Sequence, residues 1–542
     1  MNNGKICVSV CAETADELIE QIKHAEDLAD IIEIRFDCLD KSELSIFDDK
    51  KRYEFYKKLP ATKKSYLTTF RPKEQGGSRE ITREERDHFW NSGYETEWAD
   101  CEEDIIEDSF YWLWKERICS YHDFDGVPDD LIEIYERLKA TNADVVKIAV
   151  RAYDITDTIS LWKLLERWKS ERESLKAKKL KEIEELNRKL SALKNTVSPP
   201  DTFLRIIPIA MGESGKWTRI LGLAHGAFMT YASLDSGSET APGQVSARDL
   251  REVYRAKELD ETTEVYGILG GSTGVSLSPY MHNAAFRYHN LNAVFVPLQA
   301  HDLNAFMRRM VKPATREIEL NFRGFSVTIP HKRSIIEHLD YLDETARKIG
   351  AVNTVKIEGG KLYGYNTDAE GFLAPLLDSY GDLTNTRVAV LGAGGAARAC
   401  VYALQTAGAR PTVFARDLTK ARSLADDFQV ELKELPKTEN RKPKTLFTDF
   451  DILVNTTPLG MKGKFENETP ATADELAGLQ LVYDLVYTPF QTRLMAEADK
   501  AEVPKIGGLA MLVAQGAAQQ KIWTNLEAPV REMSRAALER LR

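Results

Sequence analysis

Cysteine is scarce in this chain. There are six among 542 residues (Cys7, Cys11, Cys38, Cys101, Cys119 and Cys400), with no C-x-x-C pair and no metal-ligand spacing. That argues against a disulfide scaffold and a cysteine metal site, and most of the six sit in apolar runs, as reduced buried thiols do. No run of about 18 apolar residues exists, which excludes a membrane-spanning helix. The opening MNNGKICVSV has neither the charged region nor the long apolar region of a signal peptide. An excess of positive charge is also missing. Lys and Arg number 73 against 84 Asp and Glu, a net charge of −11. Broad nucleic-acid binding is therefore not expected, although local basic pockets for anions remain open. The expectation is a cytoplasmic protein that handles small molecules, with no nucleic-acid or membrane partner. The sequence leaves its oligomeric state open.

What is present suits roughly three or four globular domains. The chain is organised around Arg387 to Leu404, RVAVLGAGGAARACVYAL. Val388 to Leu391 reads as a buried parallel strand, and an alanine-rich helix follows the glycines. Gly392, Ala393, Gly394, Gly395 and Ala396 form the turn, with Ala397 at the third glycine position of G-x-G-x-x-G. Small residues there let the backbone approach a pyrophosphate at a helix N-terminus, where free N–H groups and the dipole favour anions. A tight turn with no ligand has the same pattern, so the flanking sequence must decide.

Before this stretch, residues 5 to 250 alternate short apolar runs with helical patterns. The runs are KICVSVC, IIEIRFD, SYLTTFR, EWADCE, RICSYHD, DVVKIAV, LRIIPIAM and FMTYASL. Eight such units predict a (β/α)8 barrel, in which alternate strand residues point inward and strand C-termini line the site. Glu33 and Arg35 alternate on the second run. Arg71, His122 and Lys147 fall in or at the ends of later ones. Lys147 lies among Val145, Val146, Ile148, Ala149 and Val150. Burial lowers the pKa of such an amine, and a neutral amine can attack a ketone to form a Schiff base. A histidine on the preceding strand can shuttle the proton beside an imine. The plain alternatives are a lysine that reaches the strand end and a hydrogen-bonded core histidine.

With these residues in view, about residues 4 to 250 resemble type I 3-dehydroquinate dehydratase. The matching stretches are EIRFD, TTFR, SYHDF, VVKIAV, TRILG and TAPGQV. The resemblance implies Lys147 as the Schiff-base lysine and His122 as general acid and base. It places Arg219 and Gln244 on the substrate carboxylate and hydroxyls, with Glu33, Arg35, Arg71 and Thr240 around them. Two positions depart from the family pattern: Gln75 stands where a glutamate is usual, and Thr240 replaces a common serine. Gln75 can hydrogen-bond but carries no charge. Leu161 to Pro200 is longer than the family needs and is rich in Lys, Arg and Glu. Ile183, Leu186, Leu190 and Leu193 recur over about two heptads. A solvated helix or an association surface would both fit this.

The second half opens at Val265 with VYGILGGSTGVSLSPYMHNAAF. Alone, its serine-rich loop is an ordinary turn. Farther on come GFSVTIPHK, IGAVNTV, GYNTDAEGF, NTTPLGM, VYDLVYTPFQT and GGLAML-x-x-Q. In this order, about residues 264 to 525 resemble shikimate dehydrogenase. The resemblance implies Lys332 and Asp368 as the catalytic pair. It implies Ser276, Ser278, Thr328, Asn353, Tyr487 and Gln515 as shikimate ligands, with Thr456 and Gly508 on the cofactor side. Arg416 and Lys420 follow the second strand of the nucleotide-binding part. They suit the 2′-phosphate of NADP, and no acidic residue ends the strand itself. Asp417 and the absence of the usual Asn there depart from the family's N-R-T pattern.

The fold expected is α/β, an N-terminal (β/α)8 barrel fused to a two-domain dehydrogenase with a Rossmann-like NADP-binding domain. The barrel spans 1–256, with a helical insertion at about 161–200. The shikimate-binding domain takes 264–370 plus 507–542, and the NADP domain 371–506. The implied activities are dehydration of 3-dehydroquinate to 3-dehydroshikimate and NADPH-dependent reduction to shikimate. A quinate dehydrogenase and a catalytically dead regulatory homologue are the rivals. The second would have lost Lys147 or the Lys332–Asp368 pair, and all three residues are present.

Overall fold

Eight of the apolar runs become eight parallel strands in the computed structural model, which describes residues 2–43, 49–60, 64–91, 96–107, 114–190, 203–274, 276–436 and 446–541. The strands are β1 (Lys5–Val10), β2 (Ile31–Arg35), β3 (Ser65–Thr69), β4 (Trp98–Glu102), β5 (Glu116–Asp123), β6 (Val145–Arg151), β7 (Arg205–Met211) and β8 (Met229–Ser233). Neighbours in sequence pair from β1 to β7, and β8 pairs with β1. The Phe228 amide donates to the Ile206 carbonyl, so the sheet closes on itself as a barrel. Inward side chains form layers. Cys7, Ile31, Leu67, Trp98, Ile118 and Val145 fill the lower interior. Polar residues stand above them, toward the strand C-termini, where barrels place their chemistry.

The helix Thr158–Leu190 corrects the proposed insertion at 161–200. Its first three turns are barrel helix, because Leu161, Trp162, Leu165 and Trp168 are buried. Solvation begins later, with Leu175 and Leu180 half exposed. Ile183 is half-buried, and the positions of Leu186, Leu190 and Leu193 in the heptad pattern lie outside the described side chains. The cysteine expectation is also corrected. Cys11 and Cys38 form a disulfide. Parallel pairing of β1 with β2 brings the residues just beyond their C-terminal ends together, whereas Cys7, Cys101, Cys119 and Cys400 are free and buried.

The second compact unit comprises Glu264–Phe295 and Asn321–Arg542; Val296–Leu320 groups with the barrel. That differs from the division at 264. Within the first unit, the His301 and Asp302 amides donate to the Asp154 carboxylate, and Lys163 pairs with Glu317 at 2.5 Å.

After the short β9 (Val245–Ser246), one sheet holds β10 (Glu264–Gly270), β11 (Ala293–Gln299), β12 (Phe322–Val327), β13 (Tyr341–Leu342), β14 (Thr354–Glu358) and β15 (Lys361–Tyr365). A second parallel sheet holds β16 (Arg387–Leu391), β17 (Arg410–Ala415), β18 (Glu431–Glu434), β19 (Ile452–Asn455), β20 (Leu481–Asp484) and β21 (Lys505–Gly507). Its order is β18-β17-β16-β19-β20-β21. This is the doubly wound 3-2-1-4-5-6 arrangement, with a ligand crevice where the order reverses, between β16 and β19. The terminal helices pack back on the first sheet: Trp523 Nε1 donates to the Val355 carbonyl at 2.9 Å. No helix among the described residues is long and apolar enough to cross a membrane.

Candidate active sites

The barrel cavity is lined by all eight residues expected there: Glu33, Arg35, Arg71, His122, Lys147, Arg219, Thr240 and Gln244. Gln75 also lines it. Lys147 sits mid-strand on β6 and is 4% exposed, on the wall of the cavity and away from the strand end. Its Nζ lies 2.7 Å from Asp100 Oδ2 and 4.0 Å from the Tyr231 ring centroid. Burial lowers the lysine below its ordinary range, and Asp100 acts against that shift.

Arg71 ties the network together. It pairs with Asp100 at 2.7 Å and Glu102 at 3.1 Å, and its Nη1 lies 2.8 Å from His122 Nε2. A guanidinium only donates, so His122 Nε2 accepts and the proton is on Nδ1. His122 is therefore neutral. Burial, then Arg71 and Lys147, push it well below the usual histidine range. Burial by itself would raise Asp100, but Arg71 and Lys147 outweigh it and the carboxyl lies below its ordinary range.

Glu33 accepts from Ser9 Oγ and from Thr69 Oγ1. Arg35 is clamped by Asp37, at 2.9 and 2.7 Å, and donates to the Gly76 carbonyl. Arg219, on the helix Lys216–Leu221, donates weakly to the Tyr231 and Pro242 carbonyls. It has no carboxylate partner among the described residues, and burial lowers it to about 10. A buried, unneutralised guanidinium is a seat for a substrate anion. Gln244 accepts from the Thr240 amide at 2.8 Å, which joins the two residues of the TAPGQV loop.

The second cavity is lined by Ser276, Ser278, Thr328, Lys332, Asn353, Asp368, Tyr487 and Gln515, together with Ala396 and Gly508. Lys332 Nζ lies 2.5 Å from Asp368 Oδ2. Asp368 begins the helix Asp368–Tyr380, where the dipole favours an anion. Asn353 Nδ2 is within hydrogen-bond reach of Asp368 Oδ1, Thr367 Oγ1 and Gln515 Oε1. Burial pushes the Tyr487 hydroxyl up, and its hydrogen bond with Ser276 opposes that.

The glycine loop ends β16. Gly392 has φ +113°, and a Cβ on it would meet Thr456 Oγ1 at 2.5 Å. Thr456 itself donates to the Leu391 carbonyl. Nothing stands over Gly394, and the Lys332 stem packs on Gly395. Ala393 and Ala396 are half-buried beside them, at the start of the helix Gly395–Thr406. A Cβ on Gly508 would meet the Leu485 carbonyl at 2.3 Å, so only glycine fits. Arg416 and Lys420 are exposed just beyond β17. Asp417 is occupied in capping the helix Leu418–Phe428, where it accepts from the Lys420 amide. The open glycine loop, its helix N-terminus and the two exposed cations suit NADP.

Sequence reasoning passed over Asp100, Tyr231, Ser9 and Gln519. Asp100 carried the signal that singled out Lys147, a charge inside an apolar strand. Gln519 donates to Ser326, Thr354 and the Asn353 carbonyl. Nothing in a helical run of small residues marks it.

Three family models match the chain. The model of type I 3-dehydroquinase matches residues 6–177 and 177–261. The shikimate dehydrogenase substrate binding domain matches 268–355, and the shikimate 5′-dehydrogenase C-terminal domain 508–538. The class is thus a dehydroquinase barrel fused to a shikimate dehydrogenase unit. A chloroplastic bifunctional 3-dehydroquinate dehydratase/shikimate dehydrogenase of Arabidopsis thaliana is 31% identical, over 97% of this chain and 83% of that protein. The chain belongs to this bifunctional 3-dehydroquinate dehydratase/shikimate dehydrogenase family. An NADP(+) shikimate dehydrogenase of Methanopyrus kandleri is 42% identical over 52% of this chain and 98% of its own. A solved shikimate dehydrogenase in complex with NADP+ shares 34% identity over 52% of this chain and 98% of that one, with a TM-score of 0.47.

Proposed function

We propose that the chain catalyses two consecutive reactions: Schiff-base dehydration of 3-dehydroquinate, then NADPH-dependent reduction of 3-dehydroshikimate to shikimate. The observation that carries this is the presence, in one chain, of a buried lysine in a barrel cavity and a lysine–aspartate pair beside an open glycine loop.

In the barrel, Arg219 takes the substrate carboxylate and Gln244 and Thr240 its hydroxyls, while Glu33, Arg35 and Arg71 order the cavity. Lys147 attacks the ketone and forms the iminium. His122, neutral and adjacent, removes the proton next to the iminium carbon and returns it to the departing hydroxyl.

In the second site, Ser276, Ser278, Thr328, Asn353, Tyr487 and Gln515 hold the substrate. Gly392, Ala393, Gly394, Gly395, Ala396, Thr456 and Gly508 admit the cofactor backbone, and Arg416 and Lys420 take its 2′-phosphate. When bound, NADPH supplies the hydride. Lys332, held in place by its 2.5 Å contact with Asp368, stabilises the developing alkoxide and delivers its proton. The shikimate-binding domain is 264–370 with 507–542, and the NADP domain 371–506; the two separate sheets support this division. A cytoplasmic setting belongs to the same reading. The four free thiols favour it and the Cys11–Cys38 disulfide weighs against it.

A coupled assay tests the whole. The protein is mixed with 3-dehydroquinate and NADPH, and absorbance is followed beside product identity. NADPH consumption with shikimate formed is the expected result. Consumption only after 3-dehydroshikimate is added would mean an impaired barrel, with Gln75 the first residue to restore to Glu. Silence with both substrates would end the bifunctional reading.

A further inference from the structure

We propose that Asp100 and Tyr231 are positioning residues that cradle the Lys147 nitrogen as a cation, first as the ammonium and then as the iminium. The inference rests on the Schiff-base reading above and deepens it. Asp100 Oδ2 lies 2.7 Å from Nζ, and the Tyr231 ring centroid lies 4.0 Å from it. The Tyr231 hydroxyl donates to that same carboxylate oxygen at 3.4 Å. Arg71 holds the other oxygen at 2.7 Å, which fixes the carboxylate's orientation. Asp100 is fully buried and Tyr231 is 3% exposed, so water does not screen either contact. An anion and a π face, both desolvated, then hold one cation.

The reaction puts positive charge at this nitrogen more than once. The Nζ lone pair forms the bond to the ketone carbon, and the carbonyl oxygen leaves as water with two protons. The nitrogen is left as a charged iminium. Loss of the adjacent C–H proton to a base sends that bond's electron pair to the nitrogen and neutralises it. Expulsion of the β-hydroxyl, protonated as water, restores the iminium, and hydrolysis frees the product. The cradle favours each charged species over its neutral counterpart and so keeps the imine protonated as an electron sink.

Too firm a hold would also stop the free amine from attacking. Burial supplies the opposing push on Lys147. Among the described residues, the titratable and charged groups that act on this nitrogen include Cys7, Glu33, Arg71, Asp100, His122 and Tyr231. From β7 the neighbour in register is Ile207, which carries no charge. Glu33 is engaged by Ser9 and Thr69, so Asp100 is the carboxylate in direct contact.

The test uses the full chain with Asp100→Asn, Tyr231→Leu and Tyr231→Phe. Without substrate, trace acetic anhydride is applied across a pH series, and acetylation of the Lys147 peptide is followed by mass spectrometry. The midpoint for Lys147 is expected to fall by about one unit or more in Asp100→Asn. It falls less, in the same direction, in Tyr231→Leu, and matches the wild type in Tyr231→Phe, which keeps the ring. The acid limb of kcat/KM for dehydration moves in parallel, whereas a purely structural role would lower activity without moving it. Unmoved midpoints in folded Asp100→Asn and Tyr231→Leu would overturn the proposal. If Asp100→Asn does not fold, Tyr231→Leu alone decides. Shifted midpoints in a protein that never dehydrates 3-dehydroquinate would uphold the cradle and remove the dehydratase reading.

Discussion

Lys332 and Asp368 are separated by 36 residues in sequence, yet their charged atoms lie 2.5 Å apart. Lys332 comes from the turn after β12, and Asp368 from the first residue of a helix, with Asn353 locking the carboxylate from the side. The pair stands beside the glycine loop because the Lys332 stem packs on Gly395. Replacing either Lys332 or Asp368 by Ala is expected to lower the kcat for reduction by roughly 10²- to 10⁴-fold, the usual weight of a positioned proton donor. Dehydration by the same preparations should stay at the wild-type rate. Separate assays of the two steps check this. A joint loss of both activities would point to misfolding and leave the pair without its assigned role.

The cofactor side gives a different kinetic signature. Arg416 and Lys420 are exposed and touch neither candidate substrate cavity. Their contribution is binding that is equal in ground and transition states. Arg416→Ala is expected to raise the KM for NADPH about tenfold with kcat nearly unchanged. Lys420→Ala should do the same more weakly, because its side chain is 87% exposed and tethered to Asp417 only at 3.6 Å. The KM for NADH should not rise in either variant. A parallel rise for both nucleotides would mean that these cations do not read the 2′-phosphate.

Much of this was legible in the sequence, for physical reasons that differ by region. The eight barrel strands could be read because a strand buried on both faces needs an unbroken apolar run, as in VVKIAV. A charged residue inside such a run stands out, as Lys147 does. Asp100 has the same standing in WADCE, but its significance depends on β4, β6 and β8 presenting their side chains to one interior, which spacing alone does not give. The Cys11–Cys38 disulfide was missed for a like reason. It depends on β1 and β2 being in parallel register, and 27 residues separate the two sulfurs. The long helix misled because its buried first turns and its exposed remainder share one continuous charged pattern.

A pH dependence of stability follows from Asp484, at the end of β20. Its carboxylate accepts from Asn455, Thr492 and the Val486 amide, but burial dominates and raises it to about 6. A folded-state value above the unfolded one of about 3.9 means that the stabilising contribution is complete below that value and is lost as pH rises through about 6. A shift of about two units corresponds to roughly 3 kcal/mol. Asp484→Asn keeps an acceptor for Asn455 and Val486 and cannot ionise. Its stability relative to the wild type is therefore expected to improve between pH 4 and pH 8, by up to that amount. Urea unfolding at the two pH values measures it, and a difference that does not change with pH would refute the assignment.

Borohydride trapping addresses the barrel most directly. An iminium is reduced by borohydride to a stable secondary amine, whereas a substrate bound without a covalent bond is not captured. Incubation with 3-dehydroquinate and borohydride should therefore attach the reduced ligand to the peptide that carries Lys147 and abolish dehydration. Reduction of 3-dehydroshikimate, assayed afterwards on the same sample, should survive, because Lys332 and Asp368 belong to a separate cavity. Lys147→Arg keeps a cation opposite Asp100 but has no nucleophilic amine, so it should fold, bind and yield no adduct. His122→Ala should still form the adduct, since it leaves the amine in place and removes the proton carrier. It should accumulate iminium and turn over roughly 10²- to 10⁴-fold more slowly. Turnover with an unlabelled Lys147 peptide would rule out the imine route and return Lys147 to the role of a buried ion-pair partner of Asp100.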